Sequence, residues 1–224
     1  RIQPGDLYNE REIQRTYNNY GRLSALKYTN IRFIETQDGD STKLDAYILL
    51  TKSKQQSVSF EIEGTNSAGD LGAAAAVSYQ HRNLFKGSER FTLKFRGAYE
   101  AISGLTQEYK NDNYTEYGIE SSINFPRFLF PFLSSDFKKS IRATTELGLQ
   151  YNYQMRPEFS RMLASASWSY HWSERQRIQH RFDLIDISYL YMPWISDTFR
   201  ELYENKENYI LEYNYKDRLI VRMG

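Results

Sequence analysis

Residues 161–172 read Arg161-Met162-Leu163-Ala164-Ser165-Ala166-Ser167-Trp168-Ser169-Tyr170-His171-Trp172. In an extended chain Met162, Ala164, Ala166, Trp168, Tyr170 and Trp172 fall on one side, and Arg161, Ser165, Ser167, Ser169 and His171 on the other. A helix would scatter both sets round its circumference. A strand separates them, so the stretch reads as a strand with one apolar and one polar face.

The same period of two recurs on either side. Phe91, Leu93, Phe95 and Tyr99 alternate with Arg90, Thr92, Lys94, Arg96 and Glu100. Tyr117, Ile119, Ile123 and Phe125 alternate with Glu116, Gly118, Glu120 and Asn124. From Ile141 to Met155, Ala143, Leu147, Leu149, Tyr151 and Tyr153 alternate with Arg142, Thr144, Glu146, Gln150, Asn152 and Gln154. Earlier, Val58, Phe60 and Ile62 alternate with Ser59, Glu61 and Glu63, and Leu71, Ala73, Ala75, Val77 and Tyr79 with Gly72, Ala74, Ala76, Ser78 and Gln80. The run from Ile178 to Tyr191 changes phase near Leu184-Ile185, which predicts a bulge. A weaker strand is expected from Tyr209 to Tyr215. About eight strands result, with short turns such as Lys86-Gly87 expected at one end and longer links such as 104–113 at the other.

Upstream of Gln55 the texture is mixed α/β. Asn9 and Glu12 have capping-box spacing, and Ile13, Tyr17 and Tyr20 recur at helical intervals. Gly21 punctuates, and Leu23 and Leu26 suggest a second short helix ending near Tyr28. Ile31 to Ile34 reads as a short strand, Asp38-Gly39-Asp40 as a turn, and Leu44, Ala46, Ile48 and Leu50 as the buried face of a return strand. The expected order is helix, helix, strand, strand, with any earlier strand missing or reduced.

Composition narrows the function. The net charge of +1 offers no concentrated basic surface for nucleic acid, and the absence of cysteine excludes thiolate chemistry and disulfides. No run of about 18 apolar residues is present for a membrane helix. Aromatics reach 16%, with 19 Tyr and 13 Phe, at a mean hydropathy of only −0.69. A membrane barrel with aromatic girdles and a wet lumen has that composition, and so does a Tyr-rich soluble sandwich.

Three features favour the barrel. Several strands are long enough for a tilted bilayer crossing of about 9–11 residues. Aromatics cluster toward strand ends, at Tyr151 and Tyr153 with Met155 and at Trp168, Tyr170 and Trp172. The polar faces carry charges of both signs (Lys94, Arg96, Glu100, Glu116, Glu120, Arg142, Glu146), which a watery lumen tolerates and neighbouring strands can pair. The fold class expected is mainly β, a transmembrane antiparallel β-barrel preceded by a small α/β domain.

Several segments resemble one family. Pro4-Gly5-Asp6-Leu7-Tyr8-Asn9, the helical region and the strand pair ending Leu44-Asp45-Ala46-Tyr47-Ile48-Leu49-Leu50 resemble a polypeptide-transport-associated (POTRA) domain. Tyr79-Gln80-His81-Arg82-Asn83-Leu84-Phe85-Lys86-Gly87-Ser88-Glu89 resembles the second strand end and periplasmic turn of BamA/TamA-type outer-membrane assembly factors, the bacterial surface antigens. Asn124-Phe125-Pro126-Arg127-Phe128 resembles the turn after that family's fourth strand.

The resemblance implies a POTRA-like periplasmic domain over residues 1–55 and the N-terminal half of a sixteen-stranded barrel over 56–224. It places the chain in the outer membrane of a Gram-negative bacterium. It also implies protein insertion or transport, with unfolded outer-membrane or exported clients, the lipid bilayer and accessory assembly subunits as partners. The chain departs from the family in lacking an Arg-Gly-Phe or Arg-Gly-Tyr motif and in ending Val221-Arg222-Met223-Gly224 rather than on an aromatic. Together with an opening that has neither initiator Met nor signal peptide, this is expected of a piece of a longer chain.

No enzymatic activity, cofactor or metal is expected. The pairs Glu61/Glu63 and Asp183/Asp186 could serve as acid/base couples, but a wet polar face accounts for them without catalysis. His171 and His180 fit polar-face or hairpin contacts better than metal ligation. No nucleophile elbow or phosphate loop occurs. The candidate client-binding edge is Ile31, Arg32, Phe33, Ile34 and Glu35, where an extended segment could add by β-augmentation or a neighbouring domain could simply cover the edge. By resemblance, the first barrel strand, with Val58, Phe60 and Ile62, forms one side of a client-entry seam. The alternatives are a passive structural or porin-like outer-membrane barrel, including a small closed eight-stranded one, and a soluble β-rich binding module.

Overall fold

The computed structural model describes residues 3–38, 41–67, 70–102, 113–134, 138, 143–174, 178–197, 200–201 and 216–224. Helix α1 (Glu10–Gly21) is followed by strands β1 (Leu26–Asp38), β2 (Ser41–Lys52), β3 (Gln56–Ser67), β4 (Asp70–Arg82) and β5 (Arg90–Ala101). Then come β6 (Asn113–Phe125), β7 (Thr144–Met155), β8 (Phe159–Glu174), β9 (Ile178–Ile195) and β10 (Arg218–Arg222). β1 and β2 form a two-stranded sheet, and β3 to β10 form one antiparallel sheet of eight strands in sequence order. The protein is mainly β, and the change of texture near Gln55 coincides with the boundary between the two sheets.

The N-terminal unit is simpler than its sequence suggests. Asn9 caps α1 by accepting from Arg11 N at 3.0 Å, one residue short of the Glu12 N–H that a capping box would use. The second helix does not form. Leu23 to Ala25 turn instead, closed by Leu23 N to Tyr20 O at 3.0 Å and Leu26 N to Leu23 O at 3.0 Å, and Leu26 already starts β1. Leu23 and Leu26 have helical spacing but lack the length for a nucleus, and Tyr28, Thr29 and Ile31 favour strand. Ile31 to Ile34 is therefore the middle of a 13-residue strand and not a short one.

In the large sheet, register turns alternation into surfaces. Phe60, Val77, Phe95, Ile119, Tyr151, Ala164, Tyr189 and Leu219 stand opposite one another in an unbroken row across all eight strands. Val58, Tyr79, Leu93, Ser121, Leu149, Ala166, Ile187 and Val221 form a second row on the same face. The opposite face carries Glu61, Ala76, Arg96, Gly118 and Asn152 in one row, and Ser59, Ser78, Lys94, Glu120 and Gln150 in another.

Exposure is inverted relative to an ordinary half-buried sheet. Phe60 is 75% exposed and Phe95 50%, whereas Ala74 and Ala76 on the charged face are each 4% exposed. On β9 Ile187 and Tyr189 are exposed, while Ser188 and Leu190 are buried. Small residues of the polar face are thus buried, its carboxylates Glu61, Glu63 and Glu120 stay exposed, and the large apolar side chains of the other face are open.

Small residues on β4 make the polar face work. β3 and β5 lie about 10 Å apart, two strand spacings. Glu61 nevertheless reaches Lys94 at 3.0 Å, and Glu63 reaches Arg96 at 3.1 Å. Both pairs span β4 where Ala74 and Ala76 leave room. Partly exposed pairs of this kind contribute up to about 1 kcal/mol each.

The predicted bulge is present. Trp168 pairs with Ile185 and Ser169 with Asp183, which leaves Leu184 as the extra residue. A second irregularity sets Met192 and Pro193 against Arg161 alone, where proline has no N–H for the ladder. Other expectations need correction. Long links occur at both ends of the sheet, 126–143 at one and 196–217 at the other. Tyr151 lies in the middle row and not at a strand end. Residues 209–215 lie outside the described residues, and the last strand is Arg218–Arg222. Among the described residues β3 and β10 are not paired with each other, so the eight strands form an open sheet and not a small closed barrel.

Overpacking tests the polar face. Ala76→Leu is expected to cost about 1–3 kcal/mol by crowding the ion pairs above it. Ala75→Leu, one residue away on the exposed face, should stay within about 0.5 kcal/mol. Chemical denaturation of the two variants side by side measures the difference.

Candidate functional site

Among the described residues the strand edges expected to act have no strand partner on one side. β3 is the outermost strand of its sheet. Its apolar side chains Val58, Phe60 and Ile62 are 56%, 75% and 86% exposed. The neighbour that holds β3 is unusually thin. Ile62 faces Ala75, Glu61 faces Ala76, Glu63 faces Ala74 and Gly64 faces Ala73. Cross-strand side-chain pairs are the main stabilising unit of a sheet, and alanine supplies little of that contact. From Glu61 to Gly64 β3 is held by its backbone ladder and by the two ion pairs that reach over β4 to β5, whereas Val58 faces Tyr79 and Phe60 faces Val77.

The second edge belongs to β1. Ile31 pairs with Ile48, Phe33 with Ala46 and Glu35 with Leu44, so one side of β1 is used by β2. The other side has no strand partner among the described residues. α1 packs on β1, Ile31 and Phe33 are half-buried, and Tyr8 meets the Phe33 ring edge-on at 5.4 Å. Arg32, Ile34 and Glu35 are exposed. The five candidate residues thus divide into two that anchor the strand and three that face outward.

The two sheets meet at a joint that sequence reasoning reduced to a short turn at Lys86-Gly87. Residues 83–89 form a tight loop in which Asn83, Lys86 and Ser88 have φ of 78°, 63° and 67°. These left-handed residues are held by polar contacts. Asn83 N donates to Glu89 O at 2.6 Å, and Ser88 N donates to Asn83 Oδ1 at 2.9 Å. Glu89 Oε2 accepts from Phe85 N at 3.2 Å and Gly87 N at 3.0 Å. A Cβ on residue 87 would overlap the Glu89 carboxylate, so only glycine allows this approach.

The loop then grips the N-terminal unit. Ser24 Oγ donates to Ser88 O at 2.6 Å, and Ala25 N donates to Ser88 Oγ at 2.9 Å. Arg82 closes the connection, donating from its backbone N to Gln55 O at 2.7 Å and from Nη1 to Lys54 O at 3.1 Å. The turn left between α1 and β1 by the missing second helix is what docks on Ser88. One local signal was legible in the sequence, a Gly-Ser-Glu triplet closing a turn that opens on Asn.

Glu89 is 1% exposed. Burial pushes its carboxyl pKa up, but the backbone N–H groups of Glu89, Gly87 and Phe85, with Arg127 beyond, outweigh that and hold it below 4.5.

The other candidate groups are engaged structurally. Glu61 and Glu63 are taken by Lys94 and Arg96, Asp183 by Arg181 at 2.7 Å, and Asp186 lies 3.8 Å from Arg222. His171 Nε2 faces both Ser169 Oγ at 3.3 Å and Glu146 Oε2 at 3.6 Å. A hydrolase triad needs serine and carboxylate on opposite ring nitrogens, so this trio cannot relay a proton to serine. His180 stacks on Trp172 at 5.1 Å. Among the described residues no group of three or more His, Asp or Glu could hold a metal, and no helix is long and apolar enough to cross a membrane.

Comparison of the chain with protein-family models, with curated proteins and with solved structures finds no match. The class defined by fold and site is an open antiparallel sheet with an apolar outer face and outer strands β3 and β10, joined through a capped turn to an α/β unit whose two strands each have one open side among the described residues.

Glu89→Gln tests the joint. Removing the charge from an acceptor of two buried N–H groups should cost about 1–3 kcal/mol. Because the folded pKa lies below the unfolded one, the native protein keeps this contribution above about pH 4.5 and loses it as pH falls through the folded value. Denaturation at several pH values should show that loss in the native chain and its absence in Glu89→Gln.

Proposed function

We propose that the chain is part of an outer-membrane assembly or translocation factor of the BamA/TamA type. In this reading the apolar face is wetted by lipid and the free edges of β1 and β3 accept extended client segments. The observation that carries it is the row from Phe60 to Leu219, apolar across eight strands and open to its surroundings, with the charges gathered on the opposite face. A soluble sheet would cover that row with a second layer. Lipid tolerates it, provided the backbone is laddered.

Strand length supports the same reading. A strand of 12 residues such as β5 or β7 is about 40 Å long and spans about 28 Å when tilted by about 45°. That is close to the thickness of a hydrocarbon core. The remaining strands of a closed barrel would pair with β3 and β10, and residues 3–55 would lie in the periplasm as the POTRA-like unit.

β-augmentation suits a factor with many clients, because main-chain hydrogen bonds supply affinity without demanding a sequence. The half of β3 from Glu61 to Gly64 is suited to exchange partners, since alanines back it on β4 and few side-chain contacts must be broken there. β1 offers a second free edge within the unit that Ser88 ties to the wall. The passive reading draws support from the Glu61–Lys94 and Glu63–Arg96 pairs, which fasten β3 as a fixed wall strand would be.

Two measurements test the proposal. Phe95→Arg is expected to destabilise the chain in bilayers by about 2–4 kcal/mol, as a cation at mid-depth on a lipid face does. Deletion of residues 1–55 is expected to leave the barrel assembled and abolish client insertion. Normal client insertion by the deleted protein would favour the passive wall. A chain that stays monomeric and dispersed in plain buffer would exclude both membrane readings.

A further inference from the structure

The link that leaves β6 turns back over the wall. Leu129 N donates to Thr145 Oγ1 at 2.8 Å, and Thr145 Oγ1 donates to Arg127 O at 2.9 Å. Tyr170 OH donates to Leu129 O at 2.8 Å. Thr145 and Tyr170 stand opposite each other on the apolar face, and the link leaves them only 1% and 4% exposed. The Phe128 ring lies 4.6 Å from Tyr170, Phe130 follows at 6.4 Å and Phe132 at 5.8 Å beyond that. The series ends at Phe132, which is 87% exposed.

Residues 128–133 carry no polar side chain, and Arg127 before them is exposed. A surface link normally leaves its N–H and C=O groups to water. Here both backbone groups of Leu129 are taken by wall side chains, and Pro131 brings no donor. Such internal satisfaction counts most where water is scarce. The link also sits at the sheet end that carries the Ser88 joint, beside Trp168 and Trp172.

We propose that residues 127–133 form an interfacial wedge. Phe130, Phe132 and Leu133 enter the acyl boundary of the phospholipid leaflet on the side of the N-terminal unit, and Arg127 stays at the phosphates. This rests on the lipid-facing reading of the wall and goes beyond it. The leaflet beside β6–β8 meets a tethered non-strand layer lying over the strand aromatics.

The chain has no cysteine, so single labels can be placed cleanly. Phe132→Cys and Leu149→Cys, the latter on the open wall, each receive a polarity-sensitive fluorophore in the full chain. The labelled proteins are reconstituted in phosphatidylcholine/phosphatidylglycerol vesicles and quenched by lipids bearing nitroxide near the headgroup or deep in the chain, and by aqueous iodide. The Phe132 site is expected to be quenched by the shallow nitroxide at least about twice as strongly as by the deep one and to be shielded from iodide, consistent with interfacial burial of about 5–10 Å. The Leu149 site should prefer the deep nitroxide. Lipid quenching at Leu149 with free iodide access at Phe132 would overturn the wedge and leave the membrane reading standing. A Phe132 site shielded from both lipid and iodide would place it against protein and also overturn the wedge. Absence of lipid quenching at both sites would remove the membrane reading itself.

Discussion

Register is the constraint on which the rest depends. Each strand separates apolar from polar side chains, but only pairing in phase adds eight separations into two continuous surfaces. A slip of one residue between β6 and β7 would place Gln150 beside Ile119 and Leu149 beside Glu120. The bulge at Leu184 shows how phase is protected. β9 loses its alternation there, and the extra residue is looped out so that Ile185 and Ile187 return to the apolar face with Trp168 and Ala166.

The polar face follows from that phase. Charges concentrated on one side of a sheet must pair or stay wet, and here they pair across strands that carry small residues. Ala74 and Ala76 are therefore structural on one face and consequential on the other. They give the ion pairs room, and they leave the Glu61–Gly64 half of β3 with little side-chain contact to β4. A well-paired polar face and a loosely backed edge strand come from the same four consecutive alanines, Ala73 to Ala76.

What the sequence disclosed was local in period. Alternation in β4 to β9, the phase change at Leu184 and the texture break near Gln55 depend on neighbours a few residues apart, and each lies where the residues indicated. The second helix was misread because Leu23 and Leu26 share a helical interval with a turn that closes on Tyr20 and Leu23. The joint was not legible as a joint, since Ser24 and Ser88 are 64 residues apart and meet only through the fold. Within the candidate sites, the exposure of Val58, Phe60 and Ile62 follows from alternation. The thinness of the strand behind them required knowing that β4, with its alanines, is the partner. The fold-back of residues 127–133 was hidden for a similar reason, because Thr145 and Tyr170 look like ordinary wall positions until their hydroxyls are seen bonding to a backbone.

Accounting for backbone hydrogen bonds ties these parts together. Inside the eight-stranded sheet the ladders consume the main-chain groups. Where the chain leaves the ladder beside the wall, side chains take over, with Thr145 and Tyr170 serving Leu129, Asn83 and Glu89 serving the 83–89 turn, and Asp217 accepting from Met192 N at 2.7 Å beside Pro193. Against that background the outer sides of β3 and β1, like those of β10 and β2, are rows of donors and acceptors without a strand partner among the described residues. An unpaired row is costly in a low-dielectric surrounding and attractive to any extended segment that can complete it. Under the proposed reading a lipid-facing wall would raise that cost for β3, whereas β1, in a unit outside the membrane, would wait in water at little expense. Capture at β1 and completion at β3 would therefore be energetically ordered, with the stronger demand for a partner at the strand that borders the bilayer.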